Sequence, residues 1–239
     1  MKYLDLTFTD PAANLACDEA LVEFFEAKTP DDGLLRVWQP TNYFIVLGHS
    51  NRLHSEVDCT VCAARQIPIL RRISGGGTVM QGPGCLDYSL ILNSRAHGLS
   101  NIADAFHYVL RRHGRAIETL IGAKTSIEGI SDLTLAGRKF SGNAQYRKAH
   151  HILVHGTFLL QFDLALIEKY LKIPIKQPDY RHNRPHLKFI ANLGIESAKL
   201  RNCLRSTWNA VQEFSGIPTR RIDTLIDTRY GREEWSRKF

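Results

Sequence analysis

Gly75-Gly76-Gly77 sets three consecutive residues without Cβ atoms between two apolar runs, and that break governs how the chain can fold. Before it, Ile67-Pro68-Ile69-Leu70 reads as a strand. After it, Val79, Leu86, Tyr88, Leu90 and Leu92 resume a period-2 pattern. Glycine reaches positive φ and lets a backbone lie close to a ligand. Successive N–H groups in such a turn form a concavity for anions. Arg71 and Arg72, just upstream, add planar forks that grip carboxylate or phosphate. A surface loop with solvated arginines is the plain alternative. The apolar flanks instead set Arg71-Arg72-Ile73-Ser74-Gly75-Gly76-Gly77-Thr78 between buried strands, as a pocket for a phosphorylated or carboxylated small molecule.

At 239 residues the chain can bury a full core, as one large domain or one domain with a small appendage. No apolar run approaches the ~20 residues of a membrane span. Met1-Lys2-Tyr3-Leu4-Asp5 carries no signal-peptide pattern, so no membrane and a cytoplasmic location are expected. The net charge of +7 favours an acidic partner. The basic residues are dispersed, clustering in 138–151 and 169–188 without regular stacking aromatics, which argues against nucleic acid. Five scattered cysteines do not make a disulfide scaffold. Cys59-Thr60-Val61-Cys62 has no second pair to complete a zinc site, and reads as a core or helix-face feature.

Asp10-Pro11 reads as an N-cap and first helical position, followed by apolar residues at helical spacing to Phe25 and a stop at Asp31-Asp32-Gly33. Leu34–Trp38 and Tyr43–Leu47 read as two strands joined by a Gln39-Pro40-Thr41-Asn42 turn. Ser55 caps an expected helix through Gln66. Ile67–Arg72 and Leu86–Leu92 read as strands, and Ser100 caps a long helix with a stripe from Ala103 to Ile121. Leu133–Ala136, Lys139–Arg147 and Ile152–Leu160 follow as strands, then a helix over Asp163–Leu171, an irregular basic stretch over Lys176–His186, and helical patterns from Ser197 to Phe214 and toward Trp235. Hairpins dominate, so the expected class is α/β (α+β) with a mixed, mostly antiparallel sheet flanked by helices.

Two further stretches carry chemistry. Gly137-Arg138-Lys139-Phe140-Ser141-Gly142-Asn143-Ala144-Gln145 sets two cations on a strand with small residues, Ser141, Gly142 and Ala144, that let it lie against a ligand. Lys139 is a compact charge able to offset negative charge on phosphate or carboxylate oxygens. His155-Gly156-Thr157 interrupts an apolar strand. His151 and His155 share a strand face, but four residues span about 13 Å, too far for one metal ion. A pocket-lining or hydrogen-bonded histidine is expected instead.

In their order these stretches resemble the lipoate–protein ligase family of the biotin/lipoate ligase superfamily. The residues that carry the likeness are Arg71-Arg72-x-Ser74-Gly75-Gly76-Gly77-Thr78-Val79, Gly84-x-Leu86-Asp87-Tyr88-Ser89, Asp132-Leu133, Gly137-Arg138-Lys139-x-Ser141-Gly142-x-Ala144-Gln145 and His155-Gly156-Thr157. Asp10-Pro11-Ala12-x-Asn14-x-Ala16-x-Asp18-Glu19-Ala20 also looks like the family's first helix, and Arg229-Tyr230-x-x-x-Glu234-Trp235 like its ending. The resemblance implies a single class II synthetase-like catalytic domain over 1–239, with no separate C-terminal accessory domain expected, that uses ATP and Mg²⁺ to convert lipoate to lipoyl-adenylate. Transfer to a lysine of an acidic acceptor follows, a lipoyl domain, a glycine-cleavage H protein or a similar carrier. By position Lys139 matches the lysine that contacts the adenylate. Arg71, Arg72 and the glycine turn match the loop around it. Gly84, Asp87, Tyr88 and Ser89 line the nucleotide side, and His155, Gly156 and Thr157 the acyl side. Val79, Phe140, Phe158 and Leu159 are expected as walls for a dithiolane and its alkyl chain. The resemblance does not name the magnesium ligands. Asp87 stands where asparagine is common.

An octanoyltransferase of the same superfamily works through a cysteine thioester and needs an activated thiolate. The loop that matches its cysteine segment, Lys124–Asp132, has none. A non-catalytic lipoyl-binding module is the third reading, and a separate accessory protein is a candidate partner. Biotin ligation is disfavoured, because Arg-Arg-Ile-Ser-Gly-Gly-Gly replaces the biotin enzymes' Gly-Arg-Gly-Arg loop.

Overall fold

The computed structural model describes residues 1–28 and 33–239, so the helix stop expected at Asp31-Asp32 lies outside the described residues. In chain order the elements are β1 (Lys2–Asp5), α1 (Pro11–Lys28), β2 (Leu34–Trp38), β3 (Phe44–Leu47), α2 (Leu53–Glu56), α3 (Cys59–Ala64), β4 (Ile69–Arg71), β5 (Val79–Gln81), β6 (Cys85–Asn93) and α4 (Ile102–Ile121). Then follow β7 (Thr125–Glu128), β8 (Asp132–Leu135), β9 (Arg138–Arg147), β10 (His151–Leu159), α5 (Leu164–Tyr170), α6 (His186–Phe189), α7 (Ser197–Thr207), β11 (Gln212–Glu213), α8 (Thr219–Leu225) and α9 (Glu233–Ser236). One sheet runs β11-β1-β2-β6-β10-β9-β8-β7, and a smaller one runs β4-β3-β5. In the large sheet β1 pairs in parallel with β2 and β11, and the other pairings are antiparallel. The expected mixed, mostly antiparallel sheet with helices is the one observed.

Period-2 alternation assigns the strand residues to two faces. Leu35, Val37, Leu86, Tyr88, Leu90, Leu92, Val154 and Phe158 form a core with Val109, Leu110 and Ile117 of α4 and Leu200 and Leu204 of α7. On the other face α1 packs with α8 and Tyr230 over Leu34, Trp38, Ile91 and Leu153. The Asp10 carboxylate accepts the Ala12 N–H at 2.9 Å, with Pro11 at the first helical position, as the sequence indicates. A third cluster joins the small sheet to α2, α3, α5 and α6.

Several expectations are corrected. β2 and β3 do not form a hairpin. They lie in different sheets, because β3 takes β4 and β5 as partners. The helix expected over 55–66 is split at Val57, which bridges to Leu171, and α3 is capped by Asp58, whose carboxylate accepts the Val61 N–H. Asn101, not Ser100, caps α4, accepting the Asp104 N–H at 2.9 Å. Part of the expected loop 124–132 is strand β7, and Gln212–Glu213 adds a short parallel strand beside β1 rather than continuing a helix. The β8–β9 turn falls at Ala136-Gly137, where both Gly137 (φ +71°) and Ala136 (φ +49°) adopt the left-handed region.

Candidate active site

Two rows of paired residues cross the α1 face of the large sheet. One reads Arg36, Ser89, His155, Ala144. The next reads Trp38, Asp87, Thr157, Gly142, Asp132. Five strands thus present polar and small side chains to one space, roofed by the loop between β4 and β5.

The first row meets α1 through charge. Arg36 is fully buried in an otherwise apolar strand and donates to Asp18 Oδ1 at 2.6 Å and to the carbonyls of Asn14 and Leu6. Burial alone would raise the Asp18 carboxyl. The guanidinium and the His155 bond outweigh it and hold the group below its ordinary value, so Asp18 is ionised. Asp18 Oδ2 lies 3.1 Å from His155 Nδ1, and His155 Nε2 lies 2.6 Å from Ser74 Oγ. This chain of bonds joins α1, the sheet and the glycine loop.

In the second row Asp87 Oδ1 accepts from Gln81 Nε2 at 2.7 Å and from the Thr157 hydroxyl. Asp87 Oδ2 and Gln81 Oε1 are buried and have no hydrogen-bond partner among the described residues. Burial, reinforced by the charge of Asp18, pushes the Asp87 carboxyl up to about 8 against the opposing pull of Thr157. Lys139 leans over Gly142. Its Cε and Nζ come within 2.8 Å of where a Cβ on Gly142 would stand, so the ammonium lies directly over the glycine. Lys139 Nζ is 2.8 Å from Asp132 Oδ1, and Tyr180 donates to Asp132 Oδ2 at 2.6 Å.

The loop above is braced from within. Arg72, nearly fully buried, donates to Ser74 Oγ, Val46 O, Gly75 O and Gly77 O. Arg71, fully buried, donates to the carbonyls of Gly48, His49, Asn51, Trp235 and Ser236. The two guanidinium groups, expected to grip an anion directly, give these donors to the protein. Buried carbonyls must be satisfied, and a five-donor fork satisfies several at once. What they leave open is the backbone: the N–H groups of Gly75, Gly76 and Gly77 have no partner among the described residues. Gly75 and Gly77 face open space, while Gly76 (φ +89°) lies over Ala144.

The structure therefore brings together Ser74, Gly75, Gly76, Gly77, Asp87, Ser89, Lys139, Gly142, Ala144, His155 and Thr157. Tyr88, Ser141 and Gly156 belong to the opposite face. Tyr88 donates to Asn143 Oδ1 at 2.7 Å, and Gly156 makes room for that amide. Consecutive strand residues cannot share a face, so neither motif lines the site throughout. Gly84 (φ +92°) packs against the backbone of Gln161 and Phe162 as a turn. Thr78 Oγ1 is buried without a hydrogen-bond partner among the described residues. The four expected apolar walls diverge: Phe140 and Phe158 point under α4, Val79 toward α1 and Leu159 into the small-sheet cluster. Sequence reasoning missed Asp18 and Arg36 as members of the site. A lone arginine inside Leu34-Leu35-Arg36-Val37-Trp38 was the available signal for a buried ion pair. No group of three or more His, Cys, Asp or Glu side chains able to hold a metal occurs among the described residues.

The lipoyl protein ligase A/B catalytic domain matches residues 10–200. The chain is 29% identical over 174 residues to lipoate–protein ligase 1 of Staphylococcus aureus, covering 72% of this chain and 50% of that protein. It is 29% identical over 192 residues to the octanoyltransferase LipM of Moorella thermoacetica, covering 72% and 70%. It spans about half the length of the ligase relatives it matches. The structure matches the bi-partite lipoate protein ligase of Thermoplasma acidophilum, described with its E2 lipoyl domain, at a TM-score of 0.81 and 20% identity over 99% of this chain and 95% of that one. It matches a lipoate–protein ligase A bound with ATP at 0.80 and 21% over 99% and 98%. At those identities the likeness establishes the fold. The match over 10–200 establishes more: the chain belongs to the lipoyl protein ligase A/B catalytic-domain family, whose members include lipoate ligases and octanoyltransferases.

Proposed function

We propose that this chain is an ATP-dependent lipoate–protein ligase. It activates lipoate, or octanoate, to the acyl-adenylate and passes the acyl group to a lysine of an acidic acceptor such as a lipoyl domain. One observation carries the reading: the unpartnered amides of Gly75–Gly77 lie across small residues from the Lys139 ammonium. That is a two-sided cradle for anions, and bringing a carboxylate to an α-phosphate requires one. The amides donate to phosphate oxygens, and Lys139 offsets the charge of the two reacting anions. Positioning and electrostatics then supply the rate, without a protein nucleophile.

A hard cation takes oxygen ligands and keeps several waters. The unpartnered Asp87 Oδ2 and the neighbouring Gln81 Oε1 fit such an ion, and would hold Mg²⁺ while it neutralises the polyphosphate. The solved ligase with ATP, sharing this fold, supports the nucleotide. The bi-partite ligase with its lipoyl domain supports the acceptor and keeps an accessory protein in the proposal. No helix among the described residues is long and apolar enough to cross a membrane, and a cytoplasmic location belongs to the proposal.

The thioester route is the less supported one. Cys17 and Cys85 are fully buried, with burial pushing the first thiol up to about 11 and the second well up. Cys203 sits on α7, behind the opposite face of the sheet. Lipoate-dependent ATP–pyrophosphate exchange tests the proposal. A ligase exchanges. A chain that fails to exchange but takes an octanoyl group from octanoyl-carrier protein onto a cysteine is a transferase.

A further inference from the structure

The Asp18–His155–Ser74 chain has the geometry of a base-activated hydroxyl, and the cradle chemistry does not use it. We propose that Ser74 Oγ is a nucleophile that accepts acyl groups from activated esters or thioesters, with His155 as its base and Asp18 orienting the imidazole. This activity goes beyond the ligase reading and needs neither ATP nor a cysteine.

The distances accommodate one proton arrangement that the proposal requires. Asp18 Oδ2 is an acceptor 3.1 Å from His155 Nδ1, and in the proposed arrangement Nδ1 carries the hydrogen donated to it. His155 Nε2 is then the lone pair, and Ser74 Oγ–H donates to it at 2.6 Å. That tautomer is the one a general base needs, and such sets are recognised by geometry and role rather than by order in the chain. Two features go beyond the three residues. Arg72 Nε donates to Ser74 Oγ at 3.0 Å and stabilises oxygen as its proton leaves. The unpartnered N–H groups of Gly75 and Gly76 follow the serine, where donors can meet the oxyanion of a tetrahedral intermediate. Ser74 itself is buried, and the Gly75 and Gly77 positions beside it in the chain border open space.

The step balances. The bond from Ser74 Oγ to the acyl carbon forms, and the bond from that carbon to the leaving thiol or alcohol breaks. The serine proton passes to His155 Nε2 and on to the leaving group. An incoming amine or water then attacks the acyl-serine, gives its proton to His155, and the proton returns to Ser74 Oγ. A purely structural pin between loop and sheet would show the same distances without this reactivity.

Labelling of the full chain with a fluorophosphonate probe, without ATP or lipoate, separates the two. The expected result is one phosphonyl adduct per chain, mapped to Ser74 by peptide mass, with fluoride released. It is absent in Ser74→Ala and forms at least about 100-fold more slowly in His155→Gln, the usual scale of general-base assistance. A burst of p-nitrophenol from p-nitrophenyl octanoate in the wild-type chain gives the same reading without any variant. No adduct in the wild-type chain, an adduct that survives Ser74→Ala, or an unchanged rate in His155→Gln overturns the proposal. Lipoate-dependent exchange is read separately, so either reading can fail alone.

Discussion

On β6, Leu86, Tyr88, Leu90 and Leu92 pack under α4, while Asp87 and Ser89, their neighbours in sequence, face α1 and the glycine loop. The same division runs through β2 and β10. The α4 face is largely apolar, and two of its buried polar contacts are local: Trp208 Nε1 donates to His113 Nε2 at 2.8 Å, and Tyr88 donates to Asn143 Oδ1. The α1 face buries Arg36, Asp18, Asp87 and His155 together. Burying ionisable groups is costly unless each finds a partner, and replacing such clusters by apolar residues is often neutral or stabilising. Their gathering on one face locates the chemistry there.

Matched substitutions two strands apart break that comparison first. Arg36→Met leaves the Asp18 carboxylate buried and unpaired, and should cost about 3–5 kcal/mol of stability together with the exchange activity. Phe158→Ala, on the α4 face, should cost about 3–5 kcal/mol in denaturant melts, yet retain exchange at a temperature where it is folded. If the Phe158 variant is folded but inactive, the faces are not separable. Lys139→Ala should lower lipoate-dependent exchange by about 10²–10³-fold, the scale of one lost electrostatic donor. Its ion pair with Asp132 is partly exposed and should contribute under about 1 kcal/mol to stability.

A pH dependence on the α4 face is negligible near neutrality and grows only in acid. Burial holds the His113 pKa down to about 3, so the folded protein keeps it neutral while the unfolded chain protonates it below about 6.5. Its contribution is present above about pH 6.5 and is lost as pH falls toward 3, by at most about 1.4 kcal/mol per unit. His113→Gln keeps an acceptor for Trp208 and should flatten the acid limb of the stability curve. An unchanged acid limb would assign that loss to other groups.

Much of this was legible in the chain because it is local. The α1 stripe, β6, β9, β10 and the glycine loop carry their periodicities within 10 to 20 residues, as reflected in elements such as the 9-residue β6 and the 18-residue α1. Strand partners were harder. Leu34–Trp38 and Phe44–Leu47 both read as strands, but nothing in either states that β3 leaves β2 for β4 and β5. The site was half legible. Lys139, Ser74 and His155 stood out separately, whereas the bonds joining His155 to Ser74 and Asp18 span 81 and 137 residues. The arginines show the opposite failure: Arg71 and Arg72 advertise an anion site and, once folded, shape the loop whose amides remain open.

A crystal structure of the protein with a non-hydrolysable acyl-adenylate, its phosphate replaced by a sulfamoyl group, tests the cradle most directly. The account predicts the sulfamoyl oxygens on the Gly75–Gly77 amides with Lys139 Nζ on the other side of the same group. Density for the analogue elsewhere, with those amides and Lys139 untouched, would contradict it.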